Sequence, residues 1–138
     1  MRQGESAFVD TDAWVALAAT GDVHHQAARE HLSILRGAGA KLHTSLPVVI
    51  ETFTFLERKV RRDVALAWKE SIYKSGVVKV LPCELRDLDQ SWEYFQRKDL
   101  HKLSAVDATS FTIMKRHRIR LAFTFDHHFA VVGFRVVA

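Results

Sequence analysis

Short apolar runs alternate with helix-like patterns along this chain, and that alternation restricts its fold more than any other feature. The runs that we predict as strands are 7–9, 41–44, 77–81 and 121–125, with 134–137 as a possible fifth. Apolar residues at helical spacing predict six helices, at about 12–19, 24–35, 46–56, 61–75, 84–98 and 104–117. Strands that alternate with helices are typical of α/β proteins with a mostly parallel sheet.

Length and composition further limit the kind of protein that this chain can be. At 138 residues the chain is expected to form a single domain, 1–138, with a core large enough to fold without covalent cross-links. Its one cysteine, Cys83, excludes an internal disulfide and a zinc site built from cysteines. No segment approaches the roughly 20 apolar residues that span a bilayer, and the polar N-terminus does not resemble a signal peptide. We therefore expect a cytoplasmic protein with no membrane partner.

Helical spacing also predicts which side chains face the core. On the third helix the predicted stripe is Leu46, Val49, Ile50, Phe53 and Leu56. On the fourth helix Trp68 lies on such a stripe, and on the fifth the stripe is Leu85, Leu88, Trp92 and Phe95. If these rings are buried, no aromatic surface for stacking on nucleobases is evident.

Two aspartates follow apolar strands at equivalent positions. Asp10 comes directly after strand 7–9, and Asp126 directly after strand 121–125. In open parallel sheets, ligands bind in the crevice beyond the carboxyl ends of the strands, so both side chains should reach the same edge. A single aspartate after a strand is often only a turn or cap residue, but a pair at matching positions indicates a site.

A third acid, Glu51, lies on a predicted helix in apolar surroundings. The residues at i±3 and i±4 are Pro47, Val48, Thr54 and Phe55, so no basic residue of its own helix can neutralise it. Glu51 is either a glutamate that reaches water at the helix margin or a metal ligand that projects toward the strand ends.

A fourth acid, Asp107, follows Ser104 by three residues. Ser-x-x-Asp at a helix start resembles a capping box, which is a sufficient structural reason for both residues. A capping role does not exclude a second one, because an acid in the first turn of a helix beside the strand ends can also hold a cation.

Together Asp10, Glu51, Asp107 and Asp126 define the predicted site. Four carboxylates in one pocket repel one another, and without a cation some of them must take up protons. Oxygen ligands of this kind suit hard divalent ions, which indicates Mg²⁺ or Mn²⁺. The chemistry that fits is metal-assisted hydrolysis, in which the ion activates water and neutralises the charge that develops on a phosphate.

The charge of the chain is compatible with a polyanionic partner. Lysine and arginine total 20 against 16 aspartates and glutamates, for a net charge of +4 and a pI near 9.5. Basic residues group at 58–62 and at 115–120. Each group alone is usually a solvated helix end, but together they are candidates to hold phosphates on either side of an acidic pocket.

At these acids the sequence resembles the PIN-domain family over nearly the whole chain. Segment 8–12 resembles the family's opening strand with its first acid, and segment 46–52 resembles the part with the second. Segments 99–111 and 122–129, the latter followed by Gly133-Phe134, resemble the parts with the third and fourth acids. One departure is Val106, where family members usually carry threonine, so a polar contact beside the metal is expected to be missing.

The resemblance implies a fold, an activity and partners. The implied fold is a three-layer α/β/α sandwich around a central, mostly parallel sheet of four to five strands. The implied activity is that of an Mg²⁺- or Mn²⁺-dependent endoribonuclease that cuts single-stranded or looped RNA and leaves a 5′-phosphate and a 3′-hydroxyl. Small stand-alone members resemble VapC toxins, which are typically homodimers inhibited by an antitoxin that often places an arginine near the carboxylates.

On this hypothesis the acids have different roles. Asp10 and Asp107 hold the main cation, directly or through water. Glu51 and Asp126 complete the coordination and orient the attacking water. Two hydroxyl side chains are candidates to donate hydrogen bonds to the carboxylates or to phosphate: Thr11 and Ser104.

Two other functions stay open at this point. Asp10-Thr11-Asp12 after a strand looks like the opening of haloacid-dehalogenase-type phosphatases, with Asp10 as the nucleophile, although no acidic pair follows the fourth strand. Alternatively, the chain is a catalytically inactive PIN module that binds RNA or a protein partner, and Val106 is the feature that favours this.

The histidine pairs His24-His25 and His127-His128 raise the question of a zinc site. Adjacent residues on a helix point about 100° apart, so neither pair is predicted to chelate well. We expect these histidines to face solvent or to make hydrogen bonds.

Overall fold

Strands and helices alternate along the chain, as the sequence predicts. A computed structural model describes residues 2–137. Its strands are β1 (Ser6–Val9), β2 (Lys41–Ser45), β3 (Val78–Leu81), β4 (Leu121–Phe123) and β5 (Arg135–Val136). Its α-helices are α1 (Thr11–Ala18), α2 (His25–Gly37), α3 (Leu46–Lys59), α4 (Arg62–Lys74), α5 (Leu85–Ser91), α6 (Ala105–Arg116) and α7 (His128–Val132), and a 3₁₀ helix (Trp92–Gln96) follows α5.

The five strands form one parallel sheet in the order β3-β2-β1-β4-β5. The central strand β1 pairs with β2 on one side and with β4 on the other, so that Ala7 is opposite both Leu42 and Leu121. The chain leaves β1 toward β2 and β3 and later returns to the other side of β1. This reversal creates a crevice between the carboxyl ends of β1 and β4, which is where ligands bind in such sheets.

Helices cover both faces of the sheet, which confirms the predicted α/β sandwich. Since β-α-β crossovers are right-handed, α1–α4 lie on one face and α5–α7 on the other. The first group packs together, with the Trp14 and Trp68 rings in edge contact at 5.9 Å between centroids. In the second group Phe111 meets Phe129 edge-on at 4.9 Å, and both are completely buried. Within residues 2–137, no helix combines the length and the apolar character needed to cross a membrane.

The predicted fifth helix, 84–98, is wrong in its length and in its buried face. The α-helix ends at Ser91, and the chain tightens into the 3₁₀ helix, which turns the following side chains away from the predicted stripe. Leu85, Trp92 and Phe95 are 73%, 49% and 46% exposed. The buried positions are instead Asp87 and Ser91, one turn apart. Asp87 Oδ2 and the Ser91 hydroxyl find partners inside the protein.

The predicted stripe of α3 is also partly wrong. Val49 and Leu56 are buried as expected, but Leu46 and Ile50 are 45% and 60% exposed. The helix is rotated so that Thr52 is completely buried in their place. A line of apolar side chains is therefore left on the surface of α3.

Strand β4 is shorter than predicted and is followed by an unpredicted helix. The strand ends at Phe123 rather than at residue 125, so a short turn separates it from Asp126. The chain then forms α7, which ends at Gly133 in a left-handed conformation with φ 109° and leads directly into β5. The possible fifth strand at 134–137 is confirmed as β5, although it contains only two residues.

A buried ion pair connects α5 to the end of α6. The Asp87 carboxylate is fully buried and lies 2.8 Å from Arg116 Nη2. The same Oδ2 accepts a hydrogen bond of 2.9 Å from the backbone N–H of Glu84, where α5 begins. Ser91 Oγ donates to the carbonyl of Asp87 and lies 2.9 Å from Thr112 Oγ1, so the contact between α5 and α6 is polar.

Replacing Arg116 with Met should lower the free energy of unfolding by about 3–5 kcal/mol, because it leaves the Asp87 carboxylate buried without a positive partner. The double variant Arg116→Met, Asp87→Asn should regain most of this loss, since asparagine keeps the size of the side chain without its charge. Urea unfolding followed by circular dichroism measures both values. The exposed Arg120→Met is the control and should change stability by less than about 0.5 kcal/mol; equal losses for Arg116→Met and Arg120→Met would contradict the prediction.

Candidate active site

All four predicted acids line one cavity at the carboxyl edge of the sheet. The cavity has a volume of about 320 Å³, and its acidic lining is Asp10, Asp12, Asp22, Glu51, Asp107 and Asp126. Four separate elements contribute: the end of β1, helix α3, the first turn of α6 and the turn after β4. The predicted supporting residues Thr11 and Ser104 line the same cavity.

Asp10 is the most enclosed of these acids, with 3% of its surface exposed. Its backbone N–H extends the sheet by donating to the carbonyl of Phe123 at 3.0 Å, and its Oδ2 accepts from Thr124 Oγ1 at 2.9 Å. Its other oxygen, Oδ1, is buried and has no hydrogen-bond partner among residues 2–137. Burial raises the pKa of Asp10 well above its ordinary value, and the charges of Asp12 and Glu51 raise it further.

Asp12 belongs to the cluster, although we predicted a role for it only in the phosphatase alternative. Its carboxylate accepts from the backbone N–H of Phe125 at 3.1 Å and lies 3.2 Å from Thr124 Oγ1. Burial raises the pKa of Asp12, and the charge of Asp126 adds to this effect. The signal available in the sequence was its position two residues after Asp10, which puts both acids at the start of α1.

Thr124 joins these acids and was not predicted. Its hydroxyl lies within 3.2 Å of both Asp10 and Asp12, and it accepts a hydrogen bond of 3.0 Å from the backbone N–H of Asp126. A hydroxyl has only one proton to donate. It can therefore serve only one of the two carboxylates at a time, and the other contact is a hydrogen bond only when that second acid carries a proton.

Asp107 and Asp126 share a proton unequally. Burial, Asp10 and a hydrogen bond to Asp126 raise the pKa of Asp107 to about 9. Burial also raises the pKa of Asp126, but hydrogen bonds from Asp107 and from the backbone N–H of His128, together with the neighbouring His128 ring, outweigh it, and the net shift is downward. Near neutral pH the proton therefore lies on Asp107, and Asp126 is ionised.

Glu51 is half-buried and lines the cavity from α3. Its charge contributes to the raised pKa values of Asp10 and Asp107, which shows that it acts on the same space. It also lines an adjoining apolar groove of about 410 Å³. The side chain thus stands on the boundary between the cavity and the groove, as a residue that projects toward the strand ends should.

The two predicted hydroxyl residues differ in their contacts. Ser104 caps α6, because its Oγ accepts from the backbone N–H of Asp107 at 3.0 Å. Thr11 Oγ1 is buried and has no hydrogen-bond partner in the described part of the chain. Val106, the departure from the family pattern, lines the adjoining groove rather than the cavity.

One wall of the cavity is aromatic, which the sequence did not predict. The His24 ring stacks on Phe125 with 4.3 Å between centroids and an angle of 6° between planes, and His24 lines the cavity. Its neighbour His25 points elsewhere and donates from Nδ1 to the carbonyl of Ala16 at 2.7 Å. The two rings of this pair therefore point to different parts of the structure.

The two basic groups differ in their relation to the cavity. Arg58 and Lys59 line the adjoining groove together with Glu51. Lys115 and Arg116 lie in the last turn of α6, about 12 Å along the helix axis from Asp107 at 1.5 Å per residue. The second group therefore does not line the cavity, and the prediction of basic groups on both of its sides is wrong for 115–120.

One known protein is similar to this chain in both sequence and overall fold. The chain is 36% identical over 127 residues to the 23S rRNA-specific endonuclease VapC20 of Mycobacterium tuberculosis, and the match covers 92% of this chain and 94% of VapC20. The crystal structure of VapC20, described as a toxin that cleaves the sarcin–ricin loop, superposes with a TM-score of 0.81 and covers 93% of this chain and 95% of that one.

More distant structures share the fold. VapBC2 from Rickettsia felis, bound to a DNA fragment from its promoter, gives a TM-score of 0.71 at 10% identity, over 95% of this chain and 96% of that one. FitAcB from Neisseria gonorrhoeae gives 0.66 at 15% identity, over 96% of each chain. The sequence pattern of the PIN domain matches residues 7–135. The chain belongs to the PIN domain family.

Proposed function

We propose that this chain is a divalent-metal-dependent endoribonuclease of the VapC type. The observation that carries the proposal is the convergence of Asp10, Glu51, Asp107 and Asp126 on one cavity at the carboxyl edge of the sheet. The similarity to VapC20 over 92% of the chain supports the same class of reaction.

The donor set fits Mg²⁺ or Mn²⁺, because all of its acidic groups offer oxygen ligands. Asp10 Oδ1 is buried and accepts no hydrogen bond within residues 2–137, so it has a lone pair available for an ion. A cation also favours the ionised forms of acids whose pKa values are raised by burial and by one another. On this proposal Asp10 and Asp107 hold the ion, and Glu51 and Asp126 complete its shell directly or through water.

Residues around the cavity hold the acidic side chains in position for the reaction. Thr124 and the turn that contains it hold Asp10, Asp12 and Asp126 in position. A bound ion supplies Lewis-acid activation of the phosphate and of a water molecule. Glu51 and Asp126 would orient that water, whose oxygen would form a bond to phosphorus as the bond to the 3′-oxygen breaks, with the proton lost by the water balanced by the one that the 3′-oxygen gains. The products are a 5′-phosphate and a 3′-hydroxyl.

The proposed substrate is RNA with an accessible loop. VapC20 is named for its action on 23S rRNA, which makes the sarcin–ricin loop the first RNA to test on this chain; such a substrate would place its action in the cytoplasm. Arg58 and Lys59 beside the cavity provide positive charge for flanking phosphates. The exposed ring of His24 adds an aromatic surface next to the acids.

The two alternatives have less support. A phosphatase of the haloacid-dehalogenase type would use Asp12 as a catalytic acid, whereas Asp12 is held by Phe125 and Thr124 and the chain has the PIN sequence pattern. An inactive binding module would be supported by the loss of an acid. The four acids are present, and the Val106 side chain lines the groove rather than the cavity.

Replacing Asp10 with Asn should reduce RNA cleavage by at least about a hundredfold, because it removes the buried ligand with the free oxygen. The measurement is cleavage of an RNA that contains the sarcin–ricin loop, with added Mg²⁺ or Mn²⁺ and with a chelator in parallel. Asp63→Asn, an exposed acid on α4 that pairs with Arg61, is the matched control and should retain full activity. An Asp10→Asn protein as active as the wild type would refute the proposal.

The stability of the metal-free protein should fall as pH rises from about 5.5 to 8.5. Asp107 has a pKa raised to about 9 in the folded chain and near 3.9 when unfolded, so the folded state binds more protons over this range. The stability that this proton contributes is fully present below the unfolded pKa and falls as pH rises toward 9. Thermal unfolding in EDTA at several pH values measures the trend.

Two controls belong to this prediction. Asp107→Asn should make the pH dependence less steep, because one of the acids with a raised pKa is gone. Saturating Mn²⁺ should also reduce the fall, since an ion stabilises the ionised acids and its binding strengthens as the proton leaves. A metal-free wild type whose midpoint temperature rises toward pH 8.5 would contradict the assignment.

We further propose that a small antitoxin protein occupies the apolar groove next to the cavity. The groove is lined by Pro47, Ile50, Thr54, Val106 and the side chain of Phe55, and it shares Glu51 and Phe55 with the cavity. A peptide in this groove would be able to extend a basic residue toward the carboxylates. The homodimer that the family resemblance implies also remains a proposal, and light scattering would test it against the monomer mass of 15.7 kDa.

Ile50→Asp should weaken inhibition by the proposed antitoxin by at least about tenfold, because it puts a charge in the apolar groove. Nuclease activity without the partner should persist, since Ile50 is outside the acidic cavity. The assay is RNA cleavage at increasing partner concentration. Leu66→Asp, on the exposed surface of α4, is the matched control; equal inhibition of Ile50→Asp and the wild type would exclude this groove.

A further inference from the structure

Three potential metal ligands meet at the start of α7, beside the carboxylate cavity. They are Asp126, His127 and His128, each of which offers one ligand atom within 4.8 Å of the other two. Asp126 Oδ1 is 2.9 Å from His128 Nδ1 and 3.8 Å from His127 Nδ1. The cluster contains two nitrogen donors, unlike the all-oxygen set around Asp10.

The helical-spacing argument against this pair does not hold in the structure. His127 precedes α7, and the two imidazole rings lie only 4.4 Å apart between centroids, tilted by 33°. The turn after β4 brings Asp126 to the same place through a hydrogen bond of 2.9 Å from the backbone N–H of His128 to Asp126 Oδ1. The side chains of three consecutive residues are thus close enough to bind a single ion.

The His128 ring has the environment of a metal ligand. It is 6% exposed, and its Nε2 lies 2.7 Å from the backbone carbonyl of His101. A carbonyl only accepts, so Nε2 carries the hydrogen, and in the neutral ring the lone pair is on Nδ1. Metal-binding histidines are usually held in this way, with the second nitrogen donating to a carbonyl or a carboxylate.

The remaining nitrogen of His128 faces the Asp126 carboxylate. Nδ1 is buried and makes no aligned hydrogen bond with any residue in 2–137, although Asp126 Oδ1 is 2.9 Å away. A nitrogen and an oxygen that bind one tetrahedral ion at about 2.0–2.1 Å are separated by roughly 3.3 Å, so a shift of a few tenths of an ångström would let both atoms bind the same ion. His127, whose side chain is 79% exposed, can turn to supply a third ligand.

We propose that Asp126, His127 and His128 form a second cation site that prefers a borderline transition ion, of the class of Zn²⁺ or Co²⁺, over Mg²⁺. Imidazole nitrogens favour such ions, whereas Mg²⁺ favours oxygen. The site shares Asp126 with the proposed nuclease centre but does not depend on nuclease activity. An ion here competes for the Asp126 carboxylate, so it links the nuclease centre to transition-metal supply.

Metal binding to the full chain, purified without a histidine tag, tests this site. Co²⁺ is titrated into metal-free protein, its visible absorption is followed for nitrogen coordination, and Zn²⁺ affinity is measured by competition. His128→Gln, which can keep the donor to the His101 carbonyl but lacks Nδ1, and His127→Gln should each bind Zn²⁺ at least about tenfold more weakly. Mg²⁺ affinity in His127→Gln should stay unchanged, because Mg²⁺ does not use the imidazole.

His117→Gln, an exposed histidine after α6, is the matched control and should bind Zn²⁺ as the wild type does. Asp10→Asn should lose RNA cleavage yet keep the Co²⁺ spectrum, which separates failure of this site from failure of the nuclease. Wild-type Zn²⁺ affinity in both histidine variants, or an equal loss in His117→Gln, would overturn the proposal. If His128→Gln does not fold by circular dichroism, the exposed His127→Gln decides the question.

Discussion

Several carboxyl groups repel one another at the carboxyl edge of the sheet. The contacts of the surrounding residues hold these groups in place despite that repulsion. Asp10 lies at the N-cap position of α1, yet its side chain makes no capping hydrogen bond to that helix. It turns instead to Thr124, on a different part of the chain. In α6 the two tasks are divided, because Ser104 caps the helix and leaves the Asp107 carboxyl group available to the cavity. The side-chain cap is thus absent at the start of α1 and present at the start of α6.

The topology explains why such distant residues meet. Since β1 is central and parallel to both neighbours, its carboxyl end and that of β4 open into the same crevice. Helix α3 contributes Glu51, and the first turn of α6 contributes Asp107 from the opposite layer. Burial then raises the pKa values of Asp10 and Asp107. The fold therefore holds these groups in a state that protons or a cation must neutralise.

Much of the fold and part of the site were predictable from the sequence. The strands and the parallel sheet follow from short apolar runs. Tertiary contacts seldom alter the secondary structure of such a run. The face of a helix is less certain, because the spacing that included Leu85 and Trp92 did not anticipate the 3₁₀ helix after Ser91 or the polar contact of Asp87 with Arg116. Partners far apart in sequence decide which side of such a helix is buried.

Contacts between residues that are far apart in the sequence also explain which site residues were predicted and which were missed. The four acids stand out by their positions after strands or in apolar helical surroundings. Thr124 and His24 do not, since their importance rests on contacts with Asp10 and Phe125 that the primary sequence does not display. His127 and His128 were judged by helical geometry, whereas the turn before α7 sets how their rings meet.

The common wall between the cavity and the apolar groove has a thermodynamic consequence. Because Glu51 and Phe55 line both spaces, a molecule in the groove and an ion in the cavity would contact the same two side chains. If one occupant weakens the other, linkage requires the reverse effect to be equally large in free energy. Cellular magnesium and manganese levels would then help to set how readily an inhibited complex of this chain dissociates.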